Sequence, residues 1–177
     1  MADEMGNLVA RAVRTYKPDD DDAWAQFETA RARLGVEPEA AVAAARPYVS
    51  SEVPSQRGAA AMIIGEVVSL KLPQAAEACS ELLFRQLLAE TDRHARDDFA
   101  VGLAKIWNAY GTEGTTLALA SHPNPNIRYA AAKNLALTAT DRLAHAPARA
   151  MLETLKDDSD PEVRSWAEFG LETLSIA

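Results

Sequence analysis

The sequence is poor in cysteine and has no long apolar run. Cys79 is its only cysteine among 177 residues, so no internal disulfide can form and nothing calls for an oxidising compartment. No stretch of 18 apolar residues occurs, and the first residues lack the basic and apolar regions of a signal peptide. We therefore expect a soluble cytoplasmic protein.

Basic residues are also scarce, with 18 Lys and Arg against 26 Asp and Glu, and the net charge is −8. Binding to a phosphate backbone depends on clustered Lys and Arg that displace counterions. The composition therefore excludes nucleic acid and membrane as expected partners. It favours another protein with a basic surface, and it leaves the oligomeric state open.

Alanine supplies much of the apolar fraction, with 36 Ala against 18 Leu, whereas aromatic residues make up 6%. Alanine favours helices and lets neighbouring helices approach closely. No strand-like alternation bounded by turn residues is present. The sequence thus predicts an all-α fold.

A repeated pattern runs through the chain, and its two strongest copies are residues 124–136 and 160–172. Each copy has Asp or Asn four residues before an arginine, Pro three before, a β-branched residue one before, Ala three after and Leu seven after. An Asx residue followed by Pro is a helix start, because the side chain accepts free amide protons and Pro lacks one. In most copies the residues four and eight places after the arginine have small side chains, which lets a neighbouring helix pack closely. The repeated arginines are Arg57, Arg96, Arg128 and Arg164.

This pattern resembles the HEAT repeat family, in particular short bacterial HEAT-like repeats. Residues 158–171 match the Asp-x-Asp-Pro-x-Val-Arg-x-x-Ala-x-x-x-Leu pattern closely, and residues 123–135 match it more loosely. The resemblance implies a right-handed α-solenoid of about five antiparallel helix pairs, whose second helices line a concave surface that binds a macromolecule. It also implies that the repeated arginines pair with acidic groups and have a structural role.

We predict one HEAT-like repeat domain over residues 1–177. Its first repeat, 1–35, is degenerate, with Phe27 in the arginine place. Three central repeats, 36–70, 73–109 and 112–138, precede a C-terminal capping repeat, 143–177.

Recognisable catalytic chemistry is absent from the sequence. His94, His122 and His145 have no second ligand at helical spacing, so no zinc site is expected. The acidic run at residues 19–22 lacks the alternating ligands and Gly of an EF-hand and is interpreted as a helix start. We expect Cys79 to be buried, and no catalytic residue, cofactor or metal.

The candidate partner-binding residues lie on the second helices, on the face opposite the predicted core. Aromatic residues on an exposed face are typical of protein interfaces, so Tyr129, Trp166 and Phe169 are predicted anchors. A one-residue error in the face assignment would instead place Phe169 in the core. The full set is Met62, Asp97, Asp98, Val101, Lys105, Tyr129, Lys133, Trp166 and Phe169.

The predicted function is a non-catalytic protein-binding module that acts through the concave face, as an adaptor or scaffold or as an inhibitor of the immunity type. The alternative is a small HEAT-like enzyme. It could resemble a chromophore lyase, or a DNA glycosylase that uses an acidic residue such as Asp97 or Asp98. That family's catalytic residues have no clear counterparts in this sequence.

Overall fold

The computed structural model describes residues 2–17, 20–110, 113–138 and 146–176. These residues form α-helices and short 3-10 helices with no β-strand, so the predicted all-α class is confirmed. Asp19 and His145 lie outside the described residues. The helices are α1 (Ala2–Thr15), α2 (Asp21–Arg33), α3 (Pro38–Ala45), α4 (Pro54–Lys71), α5 (Ala76–Ala89), α6 (Arg93–Tyr110), α7 (Glu113–Leu119), α8 (Pro125–Thr138), α9 (Ala146–Leu155) and α10 (Pro161–Ile176).

The chain forms two compact units, Met1–Tyr110 and Gly111–Ala177. In the first unit α4 and α6 pack together most extensively, with α3 and α1 against α4 and α5 against α6. In the second unit α8 packs against α10, with α7 against α8 and α9 against α10. We call α4, α6, α8 and α10 the arginine helices, because each carries one repeated arginine.

The predicted helix starts are confirmed at three of these helices. Asp92 Oδ1 accepts the amide of Ala95 at 2.9 Å, and Asp160 Oδ1 accepts that of Glu162 at 2.8 Å. Asn124 Oδ1 accepts the amide of Asn126 at 2.8 Å. The fourth helix, α4, begins after Val53, which provides no side-chain cap.

The first repeat has a different register from the predicted one, and Trp24, not Phe27, takes the arginine place. Asp20 caps α2 by accepting the amide of Ala23 at 3.0 Å, and it lies four residues before Trp24. With Trp24 in the arginine place, the buried residues of α2 stand one before it, three after it and six after it: Ala23, Phe27 and Ala30. The buried residues of α10 stand at the same distances from Arg164. The place itself lies at the edge of the core, so a fully buried ring such as Phe27 does not occupy it.

Two of the repeated arginines, Arg57 and Arg128, each tie their own helix to the turn before the next arginine helix of the same unit. Arg128 donates Nε and Nη2 to the two carboxylate oxygens of Asp158 at 2.7 and 2.8 Å. Its Nη1 donates to the carbonyls of His122 and Pro123, at 2.9 and 3.0 Å, in the turn before its own helix. Both Arg128 and Asp158 are largely buried, and the hydrogen bond from Arg128 lowers the pKa of Asp158.

Arg57 makes the same set of contacts. It donates Nε and Nη2 to Glu90 at 2.7 Å each, and Nη1 to the carbonyls of Ser51 and Glu52. Burial alone would raise the pKa of Glu90, but hydrogen bonds from Arg57 and from the amides of Asp92 and Thr91 outweigh it, so this pKa is lowered. The implied pairing of repeated arginines with acids is therefore present in both units.

Glycines allow α4 and α6 to touch through their backbones. A β-carbon on Gly102 would lie 2.5 Å from the carbonyl oxygen of Ala61, and one on Gly65 would overlap the backbone of Gly102. In the second unit a β-carbon on Gly170 would lie 3.0 Å from Ala136. Ala61, Gly65 and Ala136 stand four or eight places after their arginines, as the repeat pattern predicts. Gly102 and Gly170 stand six places after theirs, a place that the pattern did not single out.

We predict that Asp158→Asn lowers the free energy of unfolding by about 2 kcal/mol at neutral pH, because a charge-assisted bidentate pair is lost. Since the folded state lowers this pKa from its ordinary value of 3.8, the contribution is complete above that value and is lost as the pH falls below it. Urea unfolding at pH 3 to 7 measures the effect. The exposed neighbour gives the control Asp157→Asn, for which we expect less than about 0.5 kcal/mol. Equal losses in both variants would contradict the pairing.

We predict that Gly102→Ala lowers the free energy of unfolding by roughly 2 to 3 kcal/mol, because the added methyl group forces α4 and α6 apart. The matched control is Gly6→Ala in α1, where an added β-carbon meets nothing within 4 Å. This second change should raise the free energy of unfolding by about 0.5 to 1 kcal/mol, as alanine favours a helix. Urea denaturation of both variants would test the opposite signs, and a shared sign would contradict the backbone contact.

Candidate partner-binding surface

In the first unit, α4 does not present the open face predicted for it. Met62 is 6% exposed, and every residue from 58 to 65 is buried. The reason is that α4 packs against α1, α3, α5 and α6 at once. The prediction of Met62 as a residue on an exposed face is therefore wrong.

Asp98 of α6 is also buried, at 6% exposure, which corrects its predicted place on the open face. Tyr16, just after α1, donates its hydroxyl to Asp98 Oδ1 at 2.9 Å and is itself buried. On the other side the carboxylate packs against Gly58 of α4, where any β-carbon would overlap it. The N-terminal segment thus covers the part of α6 that was predicted to face a partner.

The remaining candidates of the first unit are partly accessible. Asp97, Val101 and Lys105 are half-buried on α6. Lys105 Nζ lies 2.6 Å from Glu66 Oε2, which also accepts Arg31 Nη1 at 3.0 Å. Lys105 is therefore part of an ion-pair network that joins α2, α4 and α6.

In the second unit the aromatic candidates lie close together, but they differ in exposure. Phe169 is 48% exposed and Trp166 is half-buried, whereas Tyr129 is 5% exposed and Lys133 is 6% exposed. The predicted exposure of Tyr129 and Lys133 is therefore wrong. The alternative that placed Phe169 in the core is also wrong.

These four side chains form one cluster on α8 and α10. Lys133 Nζ lies 4.7 Å from the centre of the Trp166 ring and 6.0 Å from that of Tyr129. Phe169 meets Trp166 edge to face, with ring centres 5.6 Å apart. An ammonium group over the indole and an aromatic edge against it both hold Trp166 in one orientation.

Sequence reasoning missed Tyr16 and Glu66 as contacts of the candidate residues. Glu66 stands nine places after Arg57, as Lys105 does after Arg96, so the repeat register contained a signal for their meeting. Tyr16 directly follows the last residue of α1. Helical spacing does not show which later helix its side chain contacts.

The described residues contain no group of three His, Cys, Asp or Glu side chains placed to hold a metal ion. Cys79 is buried, as predicted. Burial raises the pKa of its thiol, against a smaller opposing effect of Arg46. At neutral pH this side chain is a small apolar group of the core.

We predict that Tyr16→Phe lowers the free energy of unfolding by about 1 to 3 kcal/mol, because the buried Asp98 loses a hydrogen-bond donor. Tyr48→Phe is the matched control, since the Tyr48 hydroxyl makes no hydrogen bond within the described part of the chain. Urea denaturation should show little change for the control. Indistinguishable stabilities of the two variants would mean that the Tyr16 hydroxyl does not stabilise this part of α6.

Comparison with known proteins agrees with the repeat geometry. The family model for HEAT repeats matches residues 80–172, which is more than half of the chain. No curated protein matches this chain. Among the described helices, none has an apolar stretch of the length that a membrane crossing needs. The arginine pairs, the capped arginine helices and the family match together show that the chain belongs to the HEAT repeat family.

Proposed function

We propose that this protein is a non-catalytic, cytoplasmic binding module that holds another protein against the concave face of an α-solenoid, as an adaptor or scaffold or as an inhibitor of the immunity type. HEAT repeats are generally protein-interaction modules, and the family is typically non-catalytic. The observation that carries the proposal is the aromatic pair on α10, in which Phe169 is exposed and Trp166 is half-buried.

Phe169 and Trp166 have the properties of interface anchors. Phe169 leaves about half of its surface open to solvent, and its ring lies perpendicular to an indole that Lys133 holds in place. A rigid aromatic side chain loses little conformational freedom on binding, which is why such residues dominate interface energetics. Tyr129 and Lys133 support this pair from below and do not themselves contact the partner.

The charges beside the aromatic pair favour a basic partner. Glu168 and Glu172 are exposed on α10, on either side of Phe169 in the sequence. The whole chain is acidic as well, with a net charge of −8. A partner that presents an apolar pocket rimmed by Lys or Arg would be steered to this surface and oriented on it.

In the first unit, Asp97, Val101 and Lys105 are the accessible candidates for further contacts. Because Lys105 already pairs with Glu66 at 2.6 Å, it would orient a partner more weakly than an unpaired cation. Met62 and Asp98 act in this proposal as buried supports.

The enzyme alternatives find little support in these side chains. Of the two acidic residues considered for a glycosylase-like reaction, Asp97 is half-buried, whereas Tyr16 and α4 enclose Asp98. A nucleobase would have to displace the N-terminal segment to reach that carboxylate. The acidic balance of the chain also opposes a DNA substrate.

We predict that Phe169→Ala weakens binding of the partner by at least about 30-fold, since truncating an anchor costs about 2 kcal/mol or more. The full chain, tagged and used as bait in extract from its native host, would identify the partner. Calorimetry with the purified partner then measures the affinity of each variant.

The matched control is Leu70→Ala, which removes an apolar side chain that is 65% exposed on α4 of the first unit. This variant should bind with unchanged affinity. Equal binding by wild type, Phe169→Ala and Trp166→Ala would refute the anchor role of α10 and with it the proposed surface.

A further inference from the structure

Arg164, on α10, is the last repeated arginine, and its guanidinium is anchored like those of Arg57 and Arg128. Its Nη1 donates to the carbonyls of Asp158 and Ser159 at 2.7 and 3.1 Å. These carbonyls lie six and five residues before the arginine, as they do for the other two. The guanidinium plane is therefore held by the turn that precedes α10.

The opposite edge distinguishes Arg164 from the other two arginines. In Arg57 and Arg128, Nε and Nη2 donate to a carboxylate at 2.7 to 2.8 Å, and that carboxylate belongs to the turn before the next arginine helix. Within residues 2–17, 20–110, 113–138 and 146–176, no carboxylate takes this place beside Arg164. Arg164 is half-buried, and neither its Nε nor its Nη2 is enclosed without a hydrogen bond, so this edge reaches solvent.

We propose that the Nε and Nη2 edge of Arg164 binds a carboxylate of the protein partner, from an Asp or Glu in the turn before a helix. The inference rests on the proposed function and names one contact of that interface. The chain builds the same contact internally at Arg57 with Glu90 and at Arg128 with Asp158.

This edge is organised before a partner arrives. Two backbone carbonyls already restrain the side chain, so binding loses less side-chain freedom than it would at a mobile surface arginine. The guanidinium edge matches the two oxygens of a carboxylate and gives two charge-assisted hydrogen bonds. Lysine cannot reproduce this geometry.

The neighbouring residues give the contact a register. Arg164 lies one helical turn before Glu168 and two turns before Glu172, and both of these carboxylates are exposed, as Phe169 is. A partner would place a carboxylate on Arg164, basic groups beside the two glutamates and an apolar group on Phe169. Any displacement along α10 would bring like charges together, which favours a single docking position.

The test observes the Nε–H signals of the arginines by NMR in the full chain. The probe is a peptide with blocked termini and the chain's own sequence over residues 155–163, which carries the acid of the Arg128 pair in its natural turn. We expect the Arg164 signal to move towards those of Arg57 and Arg128 as peptide is added. Arg14, which is exposed and makes no anchoring contact in the described residues, should not move.

Three controls define the result. The peptide with Asp158→Asn should bind at least about tenfold more weakly, because it lacks the charged acceptor. Arg164→Lys should weaken binding of the peptide, measured on the backbone amide signals of Ser165 and Trp166, while keeping the charge. Acetate at equal carboxylate concentration should shift the signal less than the peptide does.

Three outcomes would show that this edge binds no specific carboxylate. These are equal responses of Arg164 and Arg14, equal effects of the Asp and Asn peptides, or an acetate response as large as that of the peptide. A shift that depends on protein concentration alone would assign the edge to a second copy and overturn the partner assignment. Because the NMR signal reports the contact at Arg164 and the affinity loss of Phe169→Ala reports the aromatic anchor, this test can fail while the proposed function stands, and the reverse also holds.

Discussion

The pairing of a repeated arginine with a carboxylate of the following repeat is the interaction on which this structure depends. Each such arginine joins three pieces of chain: its own helix, the turn before that helix and the turn before the next arginine helix. In Arg128 one guanidinium makes hydrogen bonds to two carbonyls and to both oxygens of Asp158. A buried cation with all of these contacts leaves few uncompensated polar groups, and it fixes the spacing between repeats. The surface on α10 follows from this spacing, since it sets where Trp166 and Phe169 stand relative to α8.

Much of this arrangement could be predicted from sequence because it is local. A capping Asp or Asn, Pro at the first helical position and small residues at fixed places act within one or two turns of helix. These features predicted the starts of α6, α8 and α10 and the positions of the arginines. The register of the first repeat was not predictable from the same pattern, because both Trp24 and Phe27 fit an apolar spacing. The observed hydrogen bond from the Ala23 amide to Asp20 and the full burial of Phe27 distinguish them.

The candidate site was less predictable, because exposure depends on what covers a helix. Helical spacing places Asp98 and Phe169 on comparable faces. The structure covers Asp98 with Tyr16, a residue 82 positions away in the chain, and leaves Phe169 open. Similarly, Met62 fits the pattern of an exposed face, yet α4 has neighbours on all sides. Long-range packing of this kind has no signature in a single sequence, whereas the ion pair of Glu66 with Lys105 had one in the repeat register.

The backbone contact of α4 with α6 bears on how repeats of this protein could be exchanged. Modular arrays are often diversified by recombination, in which one repeat replaces another. A repeat exchanged at α4 or α6 must keep glycine at position 65 or 102, because a β-carbon on either residue overlaps the backbone of the other helix. At Ala136 and Gly170 a single methyl group is accommodated. Helices α4 and α6 therefore form an inseparable pair for recombination, and α8 and α10 are the ones that shuffling could more readily replace.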